Sequence, residues 1–536
     1  MVIWTSVHGH GGIPGREGGT GTKGNGLSET ASKHGSTRGR GGEYVTGSEF
    51  TAVLGLDFVG STVARELSRY EIKIAVLDKA SELPSGASRA NSGMVHAGYD
   101  DEPGSVKARF CPKGNLIYRN LHEELDFTLN EVGSYVCAFA EDEIAHLELL
   151  LEQGKKNGVP SVEIISGDEL RSREPNASKE IIAALWAPTG CTINNFEAVL
   201  AFMDNAQQNG VELFLETKVL DVIFSQDKRQ VVGVRTNKGL FLSPIVVNAA
   251  GVHSDEIARM VGDDSFAIHP RRGDYFISDK YVGNLVKSFF FACPSEAGKG
   301  ITVASTTDHN LLMGPTSIFQ VDRNKTATTA EGLDQVIEGA RRLIPPIPIN
   351  MAITTFAGLR ADPDTGDFVI GILKKPHGFV NVAGIKSPGF TSAPAIAQHI
   401  VERMKNELKD LVEFKPNRKF VPERRHIPRF AYLSMEERSD LAKEDPRYAQ
   451  IVCRCESVTE GQVIEAIRRG ARTVAAVKIW TRAGAGRCQG GFCGPRVIDI
   501  LARELNIPRE EVTRHGGHSR MLVGKTKEYW FREGRL

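Results

Sequence analysis

FTAVLGLDFVGSTVARELSRYEIKIAVLDK, residues 50–79, is the stretch that decides the fold. Apolar Ala52, Val53 and Leu54 predict a buried strand running into Gly55. A helix is expected after Gly60, with Val63, Ala64 and Leu67 on one face. Ile72 to Leu77 then predicts a second strand that ends on Asp78. Strand, tight turn, helix and strand form the βαβ unit that holds a dinucleotide. The pyrophosphate lies on the helix N-terminus, and an acid after the second strand takes the ribose hydroxyls. Gly55 and Gly60 stand at the outer glycines of G-x-G-x-x-G, and Asp78 is the ribose acid. Asp57 replaces the middle glycine, adding a Cβ and a negative charge where the backbone should approach phosphate. At a separation of about 4 Å, one like-charge pair costs about 1 kcal/mol in water-like surroundings and about 4 kcal/mol at an effective dielectric of about 20. The expectation is a recognisable site with a weakened hold on its ligand, which Asp57→Gly restores.

The remaining chain is too long for one core. At 536 residues, two or three domains are expected. Lysine plus arginine equals aspartate plus glutamate, 66 each, so bulk charge makes no case for nucleic-acid or membrane-surface binding. No apolar run reaches the length of a membrane span. The N-terminus lacks the apolar core of an export signal, which points to a cytoplasmic protein, or one held at a membrane only through a partner. Residues 1–47 are glycine-rich and poor in apolar side chains, which predicts a disordered tail. Residues 48–405 form the main body, and residues 406–449, rich in charge and proline, are expected to link it to a smaller unit over 450–520. Residues 521–536 are a second tail. Within the linker, Ser434 and Glu437 have the spacing of a helix capping box. Residues 104–180 read as largely helical.

Eight cysteines are unevenly placed. Cys111, Cys137, Cys191 and Cys293 are scattered and expected to be core or surface residues. Cys453-x-Cys455 and Cys488-x4-Cys493 are close pairs on two loops, and thiolates suit zinc or an iron–sulfur cluster. Structural zinc more often takes C-x2-C pairs. On spacing alone a cluster, zinc and a disulfide pair all remain open.

SGASRANSGMVHAGYD at residues 85–100 is a loop of small and polar residues that can press its backbone on a flat ligand. This loop resembles that of the FAD-dependent oxidoreductases of the D-amino-acid oxidase superfamily, whose nearest branches are anaerobic-type glycerol-3-phosphate dehydrogenases and L-2-hydroxyglutarate dehydrogenases. PIVVNAAGVHSDEIA (244–258), HPRRGDYFI (269–277), FAGLRAD (356–362) and NVAGIKSPGFTSAPAIAQHIVE (381–402) continue the resemblance. It implies an α/β protein, α+β overall, in which a Rossmann-like FAD-binding domain is interleaved with an antiparallel-sheet substrate domain. It further implies that Ser88, Asn91, Ser92 and Gly93 line the flavin and its ribityl chain. Val219 lies toward adenine, and Ala250 and Gly251 bring backbone to the cofactor. Gly384, Lys386, Gly389 and Thr391 stand near the flavin pyrimidine edge. TRAGAGRCQGGFCGPRV around the second cysteine pair resembles the bacterioferritin-associated-ferredoxin-like domain, a small helical unit. That likeness implies a 2Fe–2S cluster on Cys453, Cys455, Cys488 and Cys493.

A flavin joined to a one-electron cluster suits a dehydrogenase with an external acceptor, either a carrier protein or a quinone-linked partner subunit. The resemblance implies oxidation of a small anionic secondary alcohol, glycerol 3-phosphate first. His96 is the candidate proton-handling residue, Arg360 the candidate anion site and Arg272 a second cation. His253 is expected to cap a turn. A 2-hydroxy acid or amino-acid dehydrogenase is the alternative enzyme. A flavin-impaired electron-transfer subunit is the alternative that Asp57 favours.

Overall fold

The computed structural model describes residues 44–45, 50–55, 58–294 and 300–528. Asp57 and most of the 1–47 segment lie outside these residues. At the centre is a six-stranded sheet in the order 212–214, 74–77, 51–54, 245–248, 379–383 and 369–372. The first five strands run parallel and Val369–Ile372 is antiparallel to its neighbour. Every residue of Thr51–Leu54, Ile74–Leu77 and Ile245–Asn248 is buried, which explains their near-continuous apolar character.

Strand alternation divides this sheet between two cores. Val53, Val76, Val247 and Val380 face a layer built from helices Phe58–Leu67, Val106–Glu124, Asn195–Gln208 and Gly389–Glu407. Ala52, Leu54, Ala75, Leu77, Val246 and Phe379 face the meander of Val219–Phe224, Val231–Thr236 and Gly239–Leu242. Tyr44–Val45, placed by composition in the tail, instead pairs in parallel with Gly239–Leu242. The free edge of that strand offers backbone partners whatever the flanking composition.

The second large sheet is mostly antiparallel and meets Gly86–Arg89 and Gly251–His253, which follow two of the parallel strands. Its long members Ile268–Ser278 and Ala352–Pro363 pair along almost their whole length. The stretch 104–180 is less helical than its composition predicts. Strands Ser134–Ala138 and Glu163–Ser166 separate its helices and join this sheet. Ser134–Ala138 is buried on both faces, so it lacks the alternation that marks a half-exposed strand.

Residues 406–449 pack along the body. Arg424 is buried and paired with Asp204, and Arg429 binds Asp126 and Glu197. The helix Met435–Glu444 begins on the Ser434–Glu437 capping box. Beyond it, a hairpin of Ile451–Cys453 and Val458–Thr459 precedes helices Glu460–Arg468, Val474–Thr481 and Gly494–Leu505. Val463, Ile464, Ile467, Val477, Val497 and Leu501 form their separate core. Among the described residues, no helix is long and apolar enough to cross a membrane.

Candidate functional site

The glycines of the first turn are enforced by backbone contact. Gly55 has φ of +92°, and a Cβ on it would stand 2.4 Å from the Ala249 carbonyl oxygen. A Cβ on Gly60 would stand 2.0 Å from the Gly55 carbonyl oxygen. The helix that starts at Phe58 therefore packs directly onto the turn, and its first described N–H donates to Ser88 Oγ at 2.7 Å. Asp78 lies at the C-terminal end of Ile74–Leu77, 8% exposed, and accepts from the Ala80 N–H at 2.7 Å. Beside it, Lys79 Nζ is 2.8 Å from His253 Nε2, while His253 Nδ1 is 2.9 Å from Glu256. His253 thus braces the turn after Asn248. Gly251 in this turn has φ of +54°, and Ala250 is half-buried beside it.

The loop after Asp78 is shaped by amide side chains. Asn91 donates to the Ala87 and Ser88 carbonyls and accepts from the Gly93 N–H at 2.7 Å. Asn195, a residue with no distinguishing sequence motif, donates to the Ser88 carbonyl at 2.9 Å from the facing helix. Ser92 is half-buried. Gly93 has φ of +66°, and a Cβ there would stand 2.6 Å from the Ile193 carbonyl oxygen. Asn91 therefore fixes the loop through its side chain, and the loop can offer backbone outward.

Two segments nearly 300 residues apart meet at His96. Its N–H donates to Thr391 Oγ1 at 2.8 Å, and its Nε2 is 3.3 Å from Ser387 Oγ. Asn115 donates to the His96 carbonyl at 3.0 Å. The His96 ring also borders a cavity of 20 Å³ shared with Tyr99, Asp100 and Phe291, about the size of one water molecule. A larger cavity of 220 Å³ lies elsewhere, where Leu83, Met203 and Leu215 meet Arg469 and Trp480. Gly384, with φ of +63°, and Gly389 bracket the loop that carries Lys386 and Ser387. The N-terminus of helix Gly389–Glu407 has no acidic residue in its first turn, which leaves its positive end unopposed. Val219 begins the meander strand paired with Thr236, on the opposite side of the parallel sheet from this helix.

Register sorts the arginines. Arg271 lies opposite Arg360 in the paired long strands, so both project from one face. Arg360 donates to the Thr316 carbonyl at 3.1 Å, and Arg271 lies 4.0 Å from the centre of the Phe319 ring. Asp362 is on that face too and joins Arg271 Nε at 3.3 Å to the Lys386 ammonium. Gly358, on the same face, approaches Ala90 of the loop so closely that a Cβ would stand 2.3 Å from its carbonyl oxygen. Arg272, the expected second cation, lies apart from these two arginines. One residue along, its guanidinium projects from the other face to Asp274 at 3.2 Å and Thr329 at 3.0 Å, beside the start of helix Ala330–Leu343. The face toward the loop holds Arg271 instead.

Burial also shifts an acid behind this region. The Asp101 carboxyl is pushed up to about 7, mainly by burial, with Asp367 adding to the rise and Lys107 opposing it. Burial and Lys386 lower the Lys107 ammonium.

The four clustered cysteines form two pairs across two loops. Cys455 and Cys488 sulfurs are 3.6 Å apart, and Cys493 hydrogen-bonds Cys453. That bond, with backbone N–H groups of Gly484 and Glu456, holds the Cys453 thiol below its ordinary value. The Phe492 and Gly490 N–H groups similarly lower Cys488. A Cβ on Gly486 would stand 2.7 Å from Cys455 Cβ, so only glycine lets the second loop close on the first. Among the described residues no three His, Cys, Asp or Glu side chains are grouped for a single metal ion. Two thiol pairs ringed by backbone donors match the donor set of a two-iron cluster, in which each iron takes two thiolates. Cys111, Cys137, Cys191 and Cys293 are buried and unbridged.

The cluster unit is fastened to the body by charge. Glu456 is held by Lys280 and Arg482, each at 2.8 Å, and Arg482 also binds Asp308 at 2.7 Å. Glu82, in the loop after Asp78, meets Thr473 and His515.

A parallel sheet with a glycine turn and a buried acid at the end of its second strand, an antiparallel sheet beside it and a loop pair lined by four cysteines together define a flavin-dependent oxidoreductase with a cluster domain. Residues 51–403 match the model of the FAD dependent oxidoreductase family, and residues 451–503 match the BFD-like [2Fe-2S] binding domain. The chain belongs to the FAD dependent oxidoreductase family. Its cofactors are FAD and a 2Fe–2S cluster. It is 45% identical over 89% of its length to a glycerol 3-phosphate dehydrogenase of Caloramator mitchellensis, covering 98% of that protein. A mitochondrial L-2-hydroxyglutarate dehydrogenase of Arabidopsis thaliana is 27% identical, over 66% of this chain and 83% of that one. Among solved structures, the dithionite-reduced L-α-glycerophosphate oxidase of Mycoplasma pneumoniae with FAD bound superimposes with a TM-score of 0.65 at 29% identity. That likeness covers 70% of this chain and 97% of the other.

Proposed function

We propose that the chain oxidises glycerol 3-phosphate to dihydroxyacetone phosphate and passes the electrons through its cluster to an external acceptor. The observation that carries this reading is the 45% identity over 89% of the chain to a glycerol 3-phosphate dehydrogenase. The cation-bearing sheet face supports it. When bound, FAD supplies a two-electron hydride acceptor and the cluster a one-electron relay. Gly55, Gly60 and Asp78 hold the dinucleotide. Ser88, Asn91, Ser92 and Gly93 shape the loop along the flavin, Ala250 and Gly251 contact its backbone side, and Val219 lies toward adenine. Gly384, Lys386, Gly389 and Thr391 frame the pyrimidine edge, where the helix N-terminus favours negative charge. Arg360 binds the substrate phosphate through its planar guanidinium, with Arg271 as second cation. His96, steered by Ser387 and Thr391, takes the hydroxyl proton. The acceptor is a carrier protein or a quinone-linked partner subunit.

An anaerobic substrate panel tests this. Glycerol 3-phosphate should bleach the flavin band near about 450 nm. Bleaching by 2-hydroxyglutarate but not by glycerol 3-phosphate would establish the second reading, a 2-hydroxy acid dehydrogenase, which the L-2-hydroxyglutarate dehydrogenase relatives favour. Purified protein with cluster absorption, and no flavin even after added FAD, would leave an electron-transfer subunit.

A further inference from the structure

The two cysteine pairs differ in exposure. Cys453 and Cys493 are buried, while Cys455 and Cys488 face solvent. Around the exposed pair, Arg454, Arg487, Phe492 and Arg496 face solvent as well. Arg454 lies 4.7 Å from the centre of the Phe492 ring, which is 52% exposed. Arg496 is tied to the Ile451 carbonyl at 2.9 Å, which keeps it beside the cysteine hairpin.

The carboxylates of these elements are already neutralised. Glu456 is buried between Lys280 and Arg482, Glu460 binds Arg503, and Asp499 binds Arg509. Asp279 of the body binds Arg487, which stays largely exposed. Among the described residues, no carboxylate pairs with Arg454 or Arg496. A chain of zero net charge therefore gathers a local basic rim and one exposed aromatic ring at the solvent edge of its cluster loops.

We propose that this rim is the docking surface for a small acidic iron–sulfur carrier protein. The inference rests on the reading that the cluster passes electrons outward, and it specifies where and to what. The exposed sulfur pair gives a partner its closest approach. Arg454 and Arg496, with the largely exposed Arg487 held beside them by Asp279, steer a partner with carboxylates around its own centre, and a small patch suits a short-lived redox encounter. Each docking event transfers one electron, oxidising this chain's cluster by one and reducing the carrier by one, with no proton moved and no bond made or broken. Two events clear one hydride equivalent.

The test uses the full chain loaded with FAD and cluster, and an acidic plant-type 2Fe–2S ferredoxin as probe. Binding of the two oxidised proteins is titrated at low and high salt, and dithionite-reduced chain is mixed with oxidised ferredoxin in stopped flow. Binding should weaken at least ~10-fold on raising salt, since exposed charges are screened. Arg454→Glu with Arg496→Glu should weaken binding and transfer by a further ~10-fold or more while cluster absorption is kept. Should that variant lose its cluster, the triple change to Gln at Arg454, Arg487 and Arg496 takes its place, with a smaller loss in the same direction. Salt-independent binding, an unchanged variant with intact cluster, preference for basic cytochrome c, or adsorption to anionic vesicles without ferredoxin binding would overturn the proposal. Dithionite supplies the electrons, so an error in the substrate assignment leaves these results untouched and shows only in the substrate panel.

Discussion

The two cofactor regions of this chain are built on opposite principles. The proposed flavin region spans residues from Gly55 to Thr391 and is built largely of backbone: glycine turns, helix ends and a loop stapled by Asn91 and Asn195. The cluster region draws on residues between Cys453 and Cys493 and works through four side chains of one type. A backbone site tolerates many side-chain changes but no added Cβ at its closest approaches. A thiolate site tolerates loop variation but no lost sulfur. The same split explains why the cysteines stand out in the sequence, whereas the flavin contacts are scattered and individually weak.

The largest effect should come from the cluster side. Cys488→Ser removes one thiolate from the exposed pair and should abolish the cluster's visible absorption, with flavin content unchanged. Loss of both cofactors together would show that the two regions depend on one another. Next is Gly60→Ala, whose Cβ would meet the Gly55 carbonyl oxygen at 2.0 Å. Overpacking of this kind costs up to about 3 kcal/mol, and titrated FAD should bind more weakly than to the native chain while the cluster remains.

Two arginines sharpen the comparison within the substrate sheet. Arg272→Ala leaves Asp274 buried without its cation, at a cost of about 3–5 kcal/mol. It should lower the melting temperature with little change in KM. Arg360→Ala should do the reverse, raising KM for the anionic substrate about 10- to 100-fold, as expected for a charge-assisted hydrogen bond worth about 1.5–3 kcal/mol. Equal effects on KM would cancel the assignment of faces.

Asp57→Gly tests the departure from the dinucleotide fingerprint that the sequence shows. FAD should be retained about 5- to 1,000-fold more tightly, from relief of a like-charge repulsion of roughly 1–4 kcal/mol. Stoichiometric FAD in the native chain through gel filtration would show that Asp57 does not oppose phosphate. At Asp101 the effect falls on stability rather than on a cofactor or substrate. Its folded carboxyl titrates at about 7, above its unfolded value, so the folded state holds an extra proton between about pH 4 and 7. Stability is therefore favoured at low pH and declines as pH rises through this window, by at most about 1.4 kcal/mol per unit. Asp101→Asn should flatten that slope in denaturant midpoints measured across the range.

The βαβ turn was legible before any coordinates. Gly55, Gly60 and Asp78 announce themselves because a βαβ turn permits few residue types, and the Ser434–Glu437 cap is a local hydrogen-bond pattern that needs no tertiary partner. Asn195 was not legible, since its role depends on a loop packed across from its helix. Tyr44–Val45 was hidden because its pairing depends on an edge strand almost 200 residues away.

By itself, the sequence determined the glycine turn of the βαβ unit, the acid at the end of its second strand and the two close cysteine pairs, because each is a local pattern of residue types. Only the tertiary structure decided that His96 meets Thr391 and Ser387, that Arg272 turns to Asp274, and that Arg271 shares a face with Arg360. The reason is the two-residue period of a strand. Adjacent arginines must point to opposite faces, and which face meets the flavin loop is set by the sheet's packing rather than by either residue.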